Sequence, residues 1–329
     1  MSDNNYQALS LSDFISRYAT QDACLRELER RRWPDGFICP HCDGRGGFPL
    51  GGRRGFECRA CRRQTSITAG TILASSKLAL PKLFLSMYLI STNKQGISAK
   101  SLSKHLAVSE VTAWHLLHKF RSAMKDRDAG YTIRGFVEAD ESYVGGLASG
   151  PGARGRSTKS KVPVIALVEK RADNLTGYVY LQPVKSISSK TLLHIISQHV
   201  AAGTTIRTDG LASYRGLPAH GFTHLPEKSL GGQRACAQFK LVHRQFSNLK
   251  SWLLGTHRNT CRRHLDRYVA EYCWRTNRRN RYDKAGRSDN RESTLPERMI
   301  QAVAVSHALT WGQVRRECFT KPTVKMEAA

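Results

Sequence analysis

Apolar positions along this chain follow two rhythms, helical in the first third and strand-like in the middle. From Leu78 to Asn93, LALPKLFLSMYLISTN is nearly continuous in apolar residues, is entered through Pro81 and is broken by Gln95-Gly96, which predicts a buried helix. Ser98 can cap AKSLSKHL. After a short Ala107-Val108 turn, Ser109 can cap EVTAWHLLHKFRSAM, where Val111, Trp114, Leu117 and Phe120 keep close to helical spacing. This pair predicts a helix-turn-helix whose second helix enters a DNA groove, with a plain helical hairpin as the alternative. From Tyr131 the rhythm shortens. TIRGFVEAD, VPVIALVEK from Val162 and TGYVYLQPV from Thr176 predict three consecutive strands. A helix with Leu192, Ile195, Ile196 and His199 in period follows, then a short strand, Thr204 to Thr208, ending in Asp209-Gly210. From Leu295, LPERMIQAVAVSHALTWGQV predicts one more amphipathic helix, suited to an oligomer contact.

Three strands, a helix, a strand with an acid at its tip and later helices predict a ribonuclease-H-like α/β core. The first of those strands is FVEADESYVGG, Phe136 to Gly146, an apolar run that delivers three carboxylates in four positions. In such a sheet the ends of the first and fourth strands are neighbours, so Asp140 and Asp209 are expected to face each other. Two hard carboxylates on adjacent strand tips suit a pair of Mg²⁺ or Mn²⁺ ions. Glu138 alternates with Asp140 and is expected on the same face, as a further ligand or a neighbour that tunes its pKa. Glu141 points the other way and is expected to be solvated.

Charge identifies the class of partner. With 52 Lys+Arg against 26 Asp+Glu and a formal net charge of +26 over 329 residues, the chain is expected to bind polyanions, nucleic acid before an anionic membrane. No apolar run reaches the roughly 18 residues of a spanning helix, and MSDNNYQALS has no signal-peptide pattern, so a cytoplasmic, nucleoid-associated protein is expected. Lys100, Lys104, His115, His118, Lys119 and Arg121 load the helical pair with positive charge. Arg154 and Arg156 lie in a basic glycine-rich loop suited to phosphates. Arg262, Arg263, Arg267, Arg275, Arg278, Arg279, Arg281 and Arg287, interleaved with Tyr268, Tyr272, Trp274 and Tyr282, predict a salt-sensitive DNA face.

Four of the nine cysteines form Cys39-Pro-His-Cys42 and Cys58-Arg-Ala-Cys61, separated by fifteen residues. This paired spacing predicts a structural zinc site closed by four thiolates, with His41 inside the first knuckle as a weaker competitor. Cys24, Cys236, Cys261, Cys273 and Cys318 lack such partners and are expected to be ordinary thiols.

Taken together, Trp33-Pro-Asp-Gly ahead of the two knuckles, E-x-D-E-S-Y-V-G-G from Glu138, Thr208-Asp209-Gly210 followed by Tyr214, and Ser247 to His257 leading to Tyr268 to Arg278 resemble bacterial insertion-sequence transposases of the DDE kind with an N-terminal zinc ribbon. The resemblance implies cleavage of DNA at the element's ends, joining of the freed 3′-hydroxyls to target DNA, and a homodimer or higher oligomer acting in trans. It also implies five segments: a helical lead-in at 1–29, a zinc ribbon at 30–72, a helix-turn-helix-like DNA-binding region at 78–126, the ribonuclease-H-like DDE-type domain at 131–285, and a C-terminal helix and tail at 286–329.

The third ligand of such enzymes is usually a helical glutamate, but LVHRQFSNLKSWLLGTH contains no acid. Alignment with the family pattern puts His243 there, seven residues before Lys250, so both lie on one helical face roughly 10 Å apart. Val242, Phe246, Leu249 and Leu253 form the buried stripe beside them. Imidazole is softer than carboxylate and adds no negative charge, so Mn²⁺ is expected to be tolerated better than Mg²⁺. Lys250 is expected on a phosphate. Glu271, flanked by Arg267 and Arg275, is the rival third ligand or an ion-pair residue. A zinc-ribbon DNA-binding regulator, an inactive transposase copy and a ribonuclease-H-like nuclease without strand transfer are the competing functions.

Overall fold

The computed structural model describes residues 9–50, 55–145, 161–171, 175–228, 238–258, 260, 262–279 and 294–316. In chain order its helices are α1 (Leu11–Arg17), α2 (Gln21–Arg32), α3 (Leu80–Thr92), α4 (Ala99–Leu106), α5 (Glu110–Asp128), α6 (Ser189–His199), α7 (Lys240–Trp252), α8 (Leu265–Arg279), α9 (Leu295–Val305) and α10 (Trp311–Arg316). The strands are β1 (Gly47–Pro49), β2 (Gly55–Cys58), β3 (Gln64–Ser66), β4 (Phe136–Val144), β5 (Val162–Lys170), β6 (Thr176–Pro183), β7 (Thr205–Thr208) and β8 (Thr223–Pro226). Contacts divide the chain after Arg127, with residues 294–314 belonging to the first unit.

In the first unit, β1, β2 and β3 form a small antiparallel sheet under the cysteine knuckles. Serine caps start the following helices: Ser98 accepts from Ser101 N–H, and Ser109 from Thr112 N–H at 3.1 Å. Ala107, at φ +50°, turns the chain between α4 and α5. Through its middle α5 is buried on nearly every face, including His115, His118 and Arg121, whereas Val111 is 59% exposed and lies outside the apolar stripe. The α5 members of the expected basic face are therefore turned inward, whereas Lys100 and Lys104 of α4 are exposed. Lys119 donates to the Ile72 carbonyl at 3.0 Å and Arg121 is 1% exposed, so neither presents its charge to DNA. The C-terminal pattern breaks at Ser306 into two helices, and Met299, Ile300, Ala302, Val303 and Ala304 of α9 are buried, with α9 packing on α2 and α3.

The second unit is a five-stranded mixed sheet in the order β6-β5-β4-β7-β8. β4 pairs antiparallel with β5 and parallel with β7, and β8 continues the parallel half. This is the ribonuclease-H-like arrangement. Even-numbered positions of β5, such as Val164 and Val168, pack against Val242, Phe246 and Leu249 of α7 and Val269 of α8. Odd-numbered positions, Val137, Ala139, Ile165 and Leu167, pack against Leu192, Ile195 and Ile196 of α6. The Asn277 amide of α8 bonds both Val179 N–H and C=O, at 2.8 and 2.9 Å, so the outer edge of β6 is covered.

Candidate active site and zinc centre

β4 does not end at its acids. It pairs with β5 as far as Val144↔Val162, but its ladder to β7 stops at Glu138↔Arg207. From Asp140 onward the strand is paired on one side and open on the other. The same offset brings Asp140 level with Asp209, just past the end of β7. At Gly210, φ +81° turns the chain away, and the Asp209 carboxylate accepts from Leu211 N–H at 3.0 Å.

Successive even positions of β4 meet α7 in order. Glu138 accepts from the N–H groups of Leu241 and Val242 at 3.0 and 3.2 Å; Asp140 lies 3.6 Å from His243 Nε2; and Ser142 accepts from Lys250 Nζ at 2.7 Å. Burial pushes the Asp140 carboxyl up to about 6, with Asp209 and Glu138 adding to the rise and the Glu141 N–H and His243 opposing it. Burial also lowers the pKa of Lys250, with Lys161 contributing. Glu141 differs from the solvated residue expected. It does project to the α6 side, but there it accepts a hydrogen bond from the buried Tyr214 hydroxyl, and burial raises it to about 7. Pairing with β5 on one side and the Tyr214 contact keep this acid largely out of water.

Glu138 is 2% exposed; one oxygen is occupied by the two helix N–H groups and the other faces Arg207 at 3.7 Å, an ion-pair distance. Glu271 is also buried, receiving Arg275 at 2.9 Å. Among the expected DNA contacts, Arg262 and Arg263 are exposed. Arg278, by contrast, pairs with Asp128 at 2.6 Å and stacks on Trp274, and Arg267 and Arg275 are buried. The interleaved Tyr268, Tyr272 and Trp274 are core residues, not a stacking platform. Arg154, Arg156, Arg281, Tyr282, Arg287, Cys236, Cys261, Cys318 and the Arg279 side chain lie outside the described residues. Sequence reasoning missed Ser142, Arg207 and Tyr214. Ser142 and Tyr214 left a signal through their places in the motifs after Glu138 and Asp209; Arg207 left none.

In the first unit, Cys39, Cys42, Cys58 and Cys61 bring their sulfurs within 4.8 Å of one another, with the Cys39–Cys61 and Cys42–Cys58 pairs at 3.6 Å. A tetrahedral ion with Zn–S bonds of about 2.3 Å needs sulfurs about 3.8 Å apart, so the four fit zinc. Backbone N–H groups of Cys61 and Ala60 help lower Cys58 to about 7, while Cys42 rises to about 12 against the pull of the Gly44 amide because the other thiols crowd it. Gly44 leaves room: a Cβ there would sit 3.3 Å from Cys42 Sγ.

Residues 132–277 match an ISXO2-like transposase domain, and residues 19–64 a transposase zinc-ribbon domain. Both matches are to domains of insertion-sequence transposases, the second to their zinc ribbon. It is 28% identical over 216 residues to an uncharacterized protein in the transposable element ISH50 of Halobacterium salinarum, covering 61% of this chain and 71% of that one. Likeness to solved structures is loose. A pre-cleavage Mos1 transpososome is 10% identical over 68% of this chain and 78% of that chain, with a TM-score of 0.26. A Mos1 transposase paired-end complex with the left transposon end is 12% identical over 67% and 77%, with a TM-score of 0.27. Such overlays carry no weight beside the strand order. No helix among the described residues is long and apolar enough to cross a membrane.

The transposase domain has an unusual pH response built into β4. When the chain is folded, Asp140 holds its proton up to about 6 instead of 3.8, and Glu141 up to about 7 instead of 4.5. The folded state thus binds more protons than the unfolded one between these values, so this contribution is full below about pH 4 and is lost as pH rises toward 7. With its side chain 14% exposed, Asp140 contributes on the order of 2–3 kcal/mol of that loss. Melting the metal-free protein from pH 4 to 7 checks this. The wild type should lose stability relative to Asp140→Asn as pH rises; parallel curves would contradict the assignment.

Proposed function

We propose that this transposase cleaves DNA at the ends of its insertion sequence and joins the freed 3′ ends to target DNA by DDE-type phosphoryl transfer. The observation that supports this is Asp140 and Asp209 standing level on neighbouring strands, with His243 3.6 Å from Asp140. The donor set fits divalent cations. The partly buried Asp140 carboxyl has its pKa raised by desolvation and further by Asp209 and Glu138, and a cation would offset both. Mg²⁺ or Mn²⁺ bound there would lower the barrier by neutralising charge on the attacking and leaving phosphate oxygens.

The chain's own groups hold and orient. Asp140 and Asp209 provide hard oxygen donors, and His243 provides a nitrogen donor without charge, which favours Mn²⁺. Lys250, held over Ser142, is placed to steady a non-bridging phosphate oxygen as a point charge. Tyr214 ties Glu141 down beside the two aspartates. The exposed Arg262 and Arg263 are proposed to contact DNA backbone. Lys250→Ala is expected to cost roughly 10- to 100-fold in joining rate, the worth of one charge-assisted hydrogen bond, with the Tm little changed. Single-turnover kinetics on pre-cut ends would read that loss.

A cleavage and joining assay on DNA carrying the sequences that flank this gene tests the function. Joined products in Mn²⁺ or Mg²⁺ support transposition. Hydrolysed ends without joining would instead make the protein a nuclease, and binding without either product a regulator or an inactive copy.

A further inference from the structure

We propose that Glu138 is a positioning residue whose buried carboxylate, held by Arg207, fixes the start of α7 and so sets His243 against Asp140. The inference rests on Asp140, Asp209 and His243 forming the metal site. Helix α7 begins at Lys240 behind the N-cap residue Phe239, which offers no side-chain cap, so its first N–H groups need an acceptor from elsewhere. Glu138 Oε2 accepts two of them, from Leu241 and Val242, the residues just before His243. A carboxylate is the favoured acceptor at this positive end of the helix.

Arg207 holds the other side of the arrangement. Its guanidinium lies 3.7 Å from Glu138 Oε1, forks onto Glu227 at 2.7 and 2.6 Å, and rests 5.0 Å from the Phe239 ring centroid. Gln238 donates to the same Glu227 at 2.9 Å. The spacing ties this network to the site. Glu138 stands two residues before Asp140, Arg207 two before Asp209, and the capped amides one and two before His243. One connected network therefore links the three elements that carry the ligands. A slip of α7 by one residue would turn His243 away by about 100°, and it would first have to break both bonds to Glu138. Metal-ligand positioning by such outer groups commonly changes affinity 10- to 100-fold.

The test is Mn²⁺ binding to the full-length, zinc-loaded protein, read by the electron paramagnetic resonance of free Mn²⁺ at a temperature where every variant is folded by circular dichroism. Glu138→Gln keeps shape and one acceptor but loses the charge, and should weaken Mn²⁺ binding about 10-fold. In a His243→Ala background the same change should cost almost nothing, because the residue acts through the imidazole. If Glu138→Gln does not fold, Arg207→Lys, which keeps the charge but loses the fork, should weaken binding in the same direction and likewise only when His243 is present. Equal losses with and without His243, or no loss in either, would overturn the positioning role. If wild type and Asp140→Asn take up Mn²⁺ alike, the metal site itself fails and this inference with it. If Asp140→Asn loses Mn²⁺ while Glu138→Gln does not, only the positioning role is lost.

Discussion

Asp140→Asn and Asp209→Asn are each expected to lower end cleavage and joining by at least about 10³-fold while leaving affinity for end DNA nearly unchanged. Asparagine keeps the size of the side chain and removes the charge that holds the cations, whose stabilisation of transition-state charge amounts to several kcal/mol, or about three powers of ten. His243→Ala should reduce the advantage of Mn²⁺ over Mg²⁺, because only hard oxygen donors then remain. A trivial explanation, that the variants unfold, predicts the wrong sign for stability. Asp140 is buried beside other acids with its pKa raised to about 6, so neutralising it should raise the Tm of the metal-free protein at pH 7. Lost activity together with increased stability is the signature of a charge kept for chemistry. Cleavage assays beside thermal melts of the same preparations would show it, and an active Asp209→Asn would end the phosphoryl-transfer account.

Stripping zinc should unfold the ribbon while the five-stranded sheet of the second unit keeps its structure. The ribbon's own core is Phe37, Cys39 and Cys58 with Trp33, Phe56 and Cys61 against them. Three aromatic side chains are too small a core to order the ribbon by burial alone. Structural zinc supplies about 10–16 kcal/mol of folding free energy, so the ribbon is expected to depend on it. Cys39→Ser should act as the chelator does. Hydrogen exchange by mass spectrometry separates the outcomes: protection should vanish from the peptides spanning Phe37 and Phe56 and persist in those covering β5. Protection of the ribbon surviving full chelation would show that its aromatic cluster suffices.

The ordered parts of this fold were legible where the sequence carries its own local reason. Val162–Lys170 shows itself as an apolar run and forms β5 with those limits, and Ser98 and Ser109 mark helix starts because a side-chain oxygen is needed there. The cysteine spacing likewise contains its geometry. What stayed hidden depends on partners distant in sequence. Glu141 reads as a solvated acid, but DESYV stays in the sheet, paired residue by residue with VPVIA of β5, and Tyr214 covers the acid. β8, four residues ending in proline, has no pattern of its own and exists because β7 offers an edge. Lys119, Arg121, Arg267 and Arg278 looked like a surface for phosphates because composition counts charges without their counter-groups. Asp128, 150 positions before Arg278, could be found only in the fold.

The central claim, that Asp140, Asp209 and His243 together hold the cations of phosphoryl transfer, is tested most directly by anomalous diffraction from crystals of the protein with end DNA and Mn²⁺. The account predicts two manganese peaks about 3.5–4 Å apart, with Asp140 between them and Asp209 and His243 completing the ligand set. Peaks coordinated by Glu138 or Glu271 instead, or no manganese beside Asp140 and Asp209 while DNA is bound, would contradict it.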